Sequence, residues 1–244
     1  MLRMGNKKLM KKKTMLLILV FCLLIIAGIV LVIQIYFSGA SRSRQVVRFI
    51  RNPDSQQDKI IPALTRCGDA PFIMPTTGMI GFIWDDSFRP GHRHQGIDIF
   101  AGTDVGETPI YAAYDGYLTR QSDWKSSLII RIPSDPLNPE NQIWTYYTHM
   151  ADPSGNALIS EAFPPGTAEK FVAAGTLLGT QGNYSGTPGN PTGVHLHFSI
   201  VKDDGNGQFL NELKIQNTLD PSPYFGMSLN ANENENGIPL CDQN

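Results

Sequence analysis

Histidine is scarce in this chain, with only 5 among 244 residues. The chain also lacks a large excess of positive or negative charge. It has 20 basic and 22 acidic residues, which gives a formal net charge of −2. This balance provides no bulk attraction to the phosphates of nucleic acid, so we expect no nucleic-acid partner. The scarcity of histidine makes any cluster of histidines informative.

Cysteine is scarcer still, with 3 residues. Cys22 lies inside an apolar run, where a thiol is an ordinary apolar side chain. Cys67 and Cys241 form an even pair that flanks most of the chain. In an oxidising compartment this pair predicts a disulfide that ties the tail to the start of the domain, with a geometry that sequence alone does not establish.

The sequence contains a single long apolar run. Met15 to Ile33 contains no polar or charged side chain, and the run continues to Phe37 past a single glutamine. A membrane-spanning helix needs ~20 apolar residues. We therefore predict a basic tail over residues 1–14 and a transmembrane anchor over 15–37.

Five lysines between residues 7 and 13 indicate the orientation of this anchor. Positive charge stays on the cytoplasmic side, which places the rest of the chain outside the cytoplasm. A signal peptide cleaved near Ala40 is the alternative, although signal peptides usually have apolar cores of only ~7–15 residues. Both interpretations predict an extracytoplasmic domain.

The remaining chain is predicted to divide into three parts: a basic stalk over 38–59, one domain over 60–228 and a polar tail over 229–244. Within the domain, short runs rich in β-branched and aromatic residues alternate with Gly, Pro, Asn and Asp. No helical periodicity persists for long. We therefore predict a mostly β domain with an antiparallel sheet or sandwich.

Four of the five histidines fall into three short motifs. The motifs are His94-Gln95-Gly96-Ile97-Asp98, Tyr147-Thr148-His149 and His195-Leu196-His197. Residues two apart on a strand share one face of the sheet. His195 and His197 therefore stand side by side, ~6.6 Å apart at their α-carbons, so that one ring can bind a metal while the other stays just outside.

The same alternation applies around Asp98. Ile97 and Ile99 are predicted to face the core, which leaves Asp98 on the side of a metal. Zinc accepts histidine nitrogen and carboxylate oxygen, and catalytic zinc sites keep one position open for water. His94, Asp98 and His197 would make such a set of three ligands.

Tyr147 and His149 are predicted to share a face by the same rule. A phenol and an imidazole beside the metal can move a proton or donate to an oxyanion, so we predict Tyr147 in the substrate groove. A single histidine outside a motif is usually a surface or core side chain, which is our interpretation of His92.

These motifs resemble the lysostaphin-type (LytM-like) zinc metallopeptidases over roughly residues 71–200. The resemblance rests on the three histidine motifs and on the segments Gly106–Ala113, Asp115–Tyr117, Gly175–Gly179 and Gly193–Phe198. The chain departs from the family pattern at Ile83–Arg89 and at Gly182–Thr192, both of which border the groove in such folds.

The resemblance implies an antiparallel β-sheet with one Zn²⁺ in an open groove. It implies that His94, Asp98 and His197 bind the zinc and that His149 and His195 act in catalysis. It also implies an endopeptidase that cuts peptide bonds in the stems or cross-bridges of peptidoglycan, and the anchor predicted from the apolar run would hold this enzyme at the membrane. One alternative is a catalytically silent relative that serves as a scaffold or activator for another wall hydrolase or for a wall-synthesis, division or sporulation complex. Another is a zinc peptidase that acts on proteins rather than on the wall.

Overall fold

The computed structural model describes residues 15–31, 40–87 and 91–241. Residues up to 41 form one unit, in which residues 15–31 are helical (α1) with exposed side chains. No helix within the described ranges has both the length and the apolarity needed to cross a membrane. The transmembrane helix predicted over 15–37 is therefore not supported by the described residues. Residues 32–37 lie outside the described ranges.

The second unit starts at residue 42 and is built mainly from strands. The helices are α2 (Ala40–Arg51) and α3 (Ser222–Phe225), with 3-10 helices at Pro53–Lys59 and Ile215–Asn217. The strands are β1 (Met79–Phe82), β2 (Ile97–Phe100), β3 (Pro109–Tyr111), β4 (Gly116–Thr119), β5 (Leu128–Ile132), β6 (Ile143–Thr148), β7 (Lys170–Val172), β8 (Leu177–Thr180), β9 (Leu196–Lys202) and β10 (Thr218–Leu219).

Eight strands form one antiparallel sheet in the order β1-β2-β9-β6-β5-β4-β7, with β10 paired to β9. Strands β3 and β8 form a separate two-stranded sheet. The prediction of a mostly β domain with an antiparallel sheet is confirmed. β-Branched and aromatic residues fill the central strands, as in β6 with Ile-Trp-Thr-Tyr-Tyr-Thr, because such side chains pack well on a pleated surface.

One face of the large sheet carries the main hydrophobic core. Ile97 and Ile99 of β2 lie there, together with Leu196 and Phe198 of β9 and Tyr147 of β6. All of these side chains are fully buried. The two isoleucines face the core as predicted from strand alternation.

The opposite face carries two smaller apolar clusters. The α2 cluster contains Val46 and Phe49 of the helix and Met79 and Phe100 of the sheet. The aromatic cluster contains Ile129, Trp144, Tyr146 and Val201, with Trp124 and Phe209 packed against it. Strand β9 and the end of β2 lie between these clusters, so polar side chains on this face point into a groove between two apolar walls.

The segment predicted as a stalk over 38–59 differs in the structure. From residue 42 it belongs to the compact unit, and Val46 and Phe49 of α2 are buried. Their three-residue spacing places them on one helical face, but four arginines around them hide this short apolar stripe from a composition-based prediction.

The tail predicted over 229–244 also packs on the domain. The structure joins Cys67 to Cys241, with α-carbons 5.3 Å apart, so the predicted disulfide is present. Buried Arg42 donates from Nη1 to the carbonyl of Gly237 over 2.8 Å, and it also donates to the carbonyl of Asn234. This Arg42 clamp binds α2 to the tail. Residues 242–244 lie outside the described ranges.

Gly96 allows the close approach on which the site depends. A β-carbon built at Gly96 would lie 2.1 Å from the carbonyl oxygen of Phe198 on β9. The backbone oxygen of Phe198 cannot move aside as the end of a flexible side chain could. Strands β2 and β9 can therefore pair as they do only when residue 96 has no side chain.

We expect Gly96→Ala to lower the free energy of unfolding by about 1–3 kcal/mol, the range of overpacked sites. Urea denaturation of the full chain, followed by tryptophan fluorescence, measures this change. Gly193→Ala is the matched control, because its new methyl would meet Ile50 at an ordinary 3.5 Å. Equal stability of Gly96→Ala and the wild type would contradict the steric argument.

Candidate metal centre and groove

Two adjacent strands place Asp98 and His197 opposite each other. They are direct partners in the register of β2 and β9, and both point to the groove face. His197 Nδ1 lies 2.8 Å from Asp98 Oδ1. His94, just before β2, brings its Nε2 to 3.1 Å from the same carboxylate oxygen and 3.1 Å from His197 Nδ1. The structure thus brings the three predicted ligands together.

Backbone contacts determine how His94 is oriented. Its Nδ1 lies 3.0 Å from the carbonyl oxygen of Ile83, which can only accept a hydrogen bond. Nδ1 therefore carries a proton, and Nε2 is the ring atom that faces Asp98 and His197. Main-chain bonds from His94 to Asp86 and from Asp85 to His94, each 2.8 Å, hold the segment in place.

Three electron-rich atoms converging in this way fit a bound cation. Two donors on a tetrahedral zinc, each ~2.0–2.1 Å from the metal, lie ~3.3 Å apart, close to the observed 2.8–3.1 Å. A metal-bound histidine typically donates its other N–H to a carbonyl or carboxylate, as His94 does. The residues present could therefore hold a metal ion.

Burial and mutual attraction shape the charges of this group. Burial alone would raise the pKa of Asp98, but the neighbouring histidines, His94 foremost, hold it well below its ordinary value. Burial, the largest single effect, would likewise lower the pKa of His94, but attraction to Asp98, the hydrogen bonds to Asp98 and Ile83 and attraction to Asp86 together outweigh it and raise the pKa. The site therefore keeps a negative carboxylate in a buried position and favours positive charge beside it.

The other two motif histidines lie next to each other, outside the group of three. The rings of His149 and His195 have their centres 4.5 Å apart. His149 Nδ1 donates to the carbonyl of Tyr184 and His195 Nδ1 to that of Gly193, each over 2.7 Å. In both rings Nε2 is left as the basic nitrogen. His195 Nε2 lies 3.6 Å from Asp98 Oδ1, and burial lowers the pKa of His195 to about 4.

Tyr147 does not lie in the groove, and that prediction was wrong. It pairs with Phe198 on the core face of the sheet and is fully buried. Alternation fails between Tyr147 and His149 because β6 ends at Thr148 and His149 has φ +70°, a left-handed conformation that turns its side chain to the groove. Burial raises the pKa of Tyr147 to about 12.

The neighbours of Tyr147 on β6 take its predicted place. Tyr146 and Thr148 line the groove, as does Ser127. Tyr146 donates its hydroxyl to Ser127 Oγ over 2.9 Å, and Ser127 Oγ lies 2.7 Å from Thr148 Oγ1. These three hydroxyls form a polar row on one side of the groove. Tyr146 and Thr148 are two residues apart on β6 and so share a face of the sheet. The sequence could have placed both in the groove if the orientation of β6 had been known.

The groove has a volume of about 640 Å³ and includes residues that sequence reasoning had set aside. His92 lines it, with its ring stacked 6.3 Å from that of His94, and so is not a simple surface residue. Tyr184, from the segment where the chain departs from the family pattern, also lines it. Ser43, Val46, Val47 and Ile50 of α2 complete one wall.

Comparison with known proteins supports the class that this site suggests. Residues 92–211 match the model of Peptidase family M23. This range is just under half of the chain, and it contains the three ligand candidates and the two further histidines. No curated protein matches the chain.

Several solved structures are similar to part of the chain. They include the antimicrobial peptidase lysostaphin from Staphylococcus simulans, at 20% identity over 55% of this chain and 44% of that one, with a TM-score of 0.35. A variant catalytic domain of the prophage-encoded M23 protein EnpA from Enterococcus faecalis is 22% identical. The match covers 62% of this chain and 96% of that domain, with a TM-score of 0.36. Csd3 from Helicobacter pylori is 22% identical over 56% of this chain and 32% of its own, with a TM-score of 0.34. The chain therefore spans less than half the length of lysostaphin and about a third of Csd3.

We expect Tyr147→Phe to destabilise the domain rather than to change the groove. The backbone N–H of Ala113 donates to Tyr147 Oη over 2.9 Å, and the variant would leave this buried donor without its partner, at a cost of about 1–3 kcal/mol. Urea denaturation checks the expected loss. If the variant has wild-type stability but binds peptide more weakly, Tyr147 contacts the substrate and our placement of it in the core is wrong.

We expect His197→Ala to weaken zinc binding by about 100-fold or more. Even mutation of a residue that only hydrogen-bonds to a metal ligand typically lowers metal affinity about 10–100-fold. Competition with a chromogenic zinc chelator measures the affinity in the full chain. His149→Ala is the matched control, because it removes an imidazole from the same groove but not from the group of three. Equal zinc affinity of His197→Ala and the wild type would remove His197 from the metal centre.

Proposed function

We propose that the chain is an extracytoplasmic zinc endopeptidase that hydrolyses peptide bonds in peptidoglycan. The observation that carries this proposal is the combination of three converging donors with two imidazoles whose Nε2 atoms are free of backbone bonds. A zinc bound by His94, Asp98 and His197 would supply Lewis acidity toward a peptide carbonyl and toward water. A protein that acts only as a scaffold would need neither the donors nor the oriented imidazoles.

The two remaining histidines provide the proton chemistry. One Nε2 of His149 or His195 accepts a proton from the attacking water. The ring then carries an N–H at that position and can donate to the developing oxyanion or to the leaving amine. The carbonyls of Tyr184 and Gly193 hold the rings in the tautomer that this role requires.

The substrate and the location rest on further support. Open grooves suit extended polymers, and the hydroxyl row of Tyr146, Ser127 and Thr148 offers hydrogen bonds to a peptide backbone. The family match is to a peptidase family, and the motifs resemble those of its peptidoglycan endopeptidases. The disulfide between Cys67 and Cys241 supports an oxidising compartment.

Digestion of purified peptidoglycan by the zinc-loaded full chain tests this function. Mass analysis of the fragments should show new amino termini, and it identifies the bond that is cut. We expect His149→Ala to keep zinc and to lose about 10²–10⁴-fold in turnover, the range of one general acid–base group.

His92→Ala controls for the loss of an imidazole from the groove. Its loss of turnover should be at least about tenfold smaller, because His92 lies outside the catalytic pair. Absence of new amino termini with zinc bound, from several types of peptidoglycan, would contradict the endopeptidase and favour the scaffold alternative.

A further inference from the structure

Helix α2 lies outside residues 92–211, the part of the chain that matches the family model. It nevertheless contributes side chains to the groove that holds the candidate metal centre. Two of its apolar residues, Val46 and Phe49, are buried in the α2 cluster and attach the helix to the sheet. Two others, Val47 and Ile50, line the groove while 45% and 46% exposed.

Ile50 lies directly beside the backbone that orients His195. A β-carbon built at Gly193 would lie 3.5 Å from Ile50 Cδ1 and 3.6 Å from Phe100 Cε1. The carbonyl of Gly193 accepts the hydrogen bond from His195 Nδ1, and the ring of Phe100 stacks on that of His195 with centres 4.9 Å apart. The apolar wall thus continues up to a histidine of the proposed catalytic pair.

The helix is held firmly in this place. Besides the Arg42 clamp, Gln45 donates to the carbonyl of Asn236 over 2.9 Å. Arg42 also forms an ion pair with Asp86 over 3.1 Å, and the backbone of Asp86 bonds that of His94. The position of Val47 and Ile50 is therefore tied to that of a metal-ligand candidate.

We propose that Val47 and Ile50 form an apolar subsite that selects peptides with an aliphatic side chain next to the bond that is cut. This inference rests on the proposed endopeptidase function. Burial of apolar surface favours binding in proportion to its area. Glycine has no side chain to bury against this wall, whereas alanine and larger aliphatic residues do. The hydroxyl row serves any peptide backbone and does not discriminate in this way.

The test compares three blocked pentapeptides: glycine throughout, L-alanine at the three central positions, and D-alanine at the same positions. The zinc-loaded full chain and its Val47→Gln/Ile50→Gln variant are assayed on each peptide. Glutamine is a good helix former, so α2 is retained. Leu177→Gln is the control, since Leu177 is also about half exposed, at 49%, and lies outside the groove.

We expect the double variant to lower the ratio of kcat/KM for the preferred alanine peptide over the glycine peptide by about tenfold or more, the effect of lost apolar contact in a specificity pocket. Leu177→Gln should leave the ratio unchanged. An unchanged ratio in the double variant, with the wild type active, would overturn the subsite and leave the endopeptidase standing.

A binding measurement separates the two proposals if no peptide is cut. The methyl groups of isoleucine and valine are labelled in the His149→Ala chain, and the three peptides are titrated by NMR. Saturable shifts of the Val47 and Ile50 signals with an alanine peptide, and not with glycine, would support the subsite. No cleavage of peptides or peptidoglycan would overturn the endopeptidase, and absence of those shifts would overturn the subsite.

Discussion

A buried carboxylate determines how this site is built. Asp98 is only 7% exposed, and a charge in such a position needs compensation from partners. Its oxygen Oδ1 lies within 3.6 Å of nitrogens from three histidines, His94, His195 and His197. Neutral imidazoles with the observed backbone bonds would compensate this charge only in part, and a cation at the convergence of the donors would complete the balance. The strand pairing that Gly96 permits is what puts the carboxylate there.

The sheet provides the site with a different environment on each face. Its core face is mainly apolar, whereas its groove face is apolar at both sides and polar in the middle. The charged groups of the site are buried next to the apolar α2 cluster, and burial weakens the screening between charges. The hydroxyls of Tyr146, Ser127 and Thr148 stand at the border between these environments. Polar side chains from β2, β6 and β9 therefore lie together in the strip between the two clusters.

Much of the site could be predicted because it lies on regular strands. Alternation along β2 and β9 correctly placed Ile97 and Ile99 in the core and Asp98 and His197 on the opposite face. The same rule failed at Tyr147, since it holds only while a strand continues and β6 ends at Thr148. The positive φ of His149 is a tertiary feature that no period in the sequence reveals.

Other parts could not be predicted because they depend on contacts between distant residues. The carbonyl of Tyr184 orients His149 across 35 positions, and any residue type could supply that carbonyl. The packing of helix α2 against the sheet was hidden by its arginines, one of which, Arg42, is buried and bonded to the tail. The polar composition of the tail gave no sign of packing, yet its backbone carbonyls serve as acceptors for that arginine.

The Arg42 clamp also has a consequence for the order of folding. Arg42 and Gly237 are 195 positions apart, so one wall of the groove is made of residues synthesised early and is held by residues synthesised late. Contacts of such long range form only after a large loop has been closed. The strands that carry the three donors can pair before the tail arrives, whereas the α2 wall is secured only afterwards. The proposed metal binding and the proposed substrate selection would then be acquired at different stages in the life of the chain.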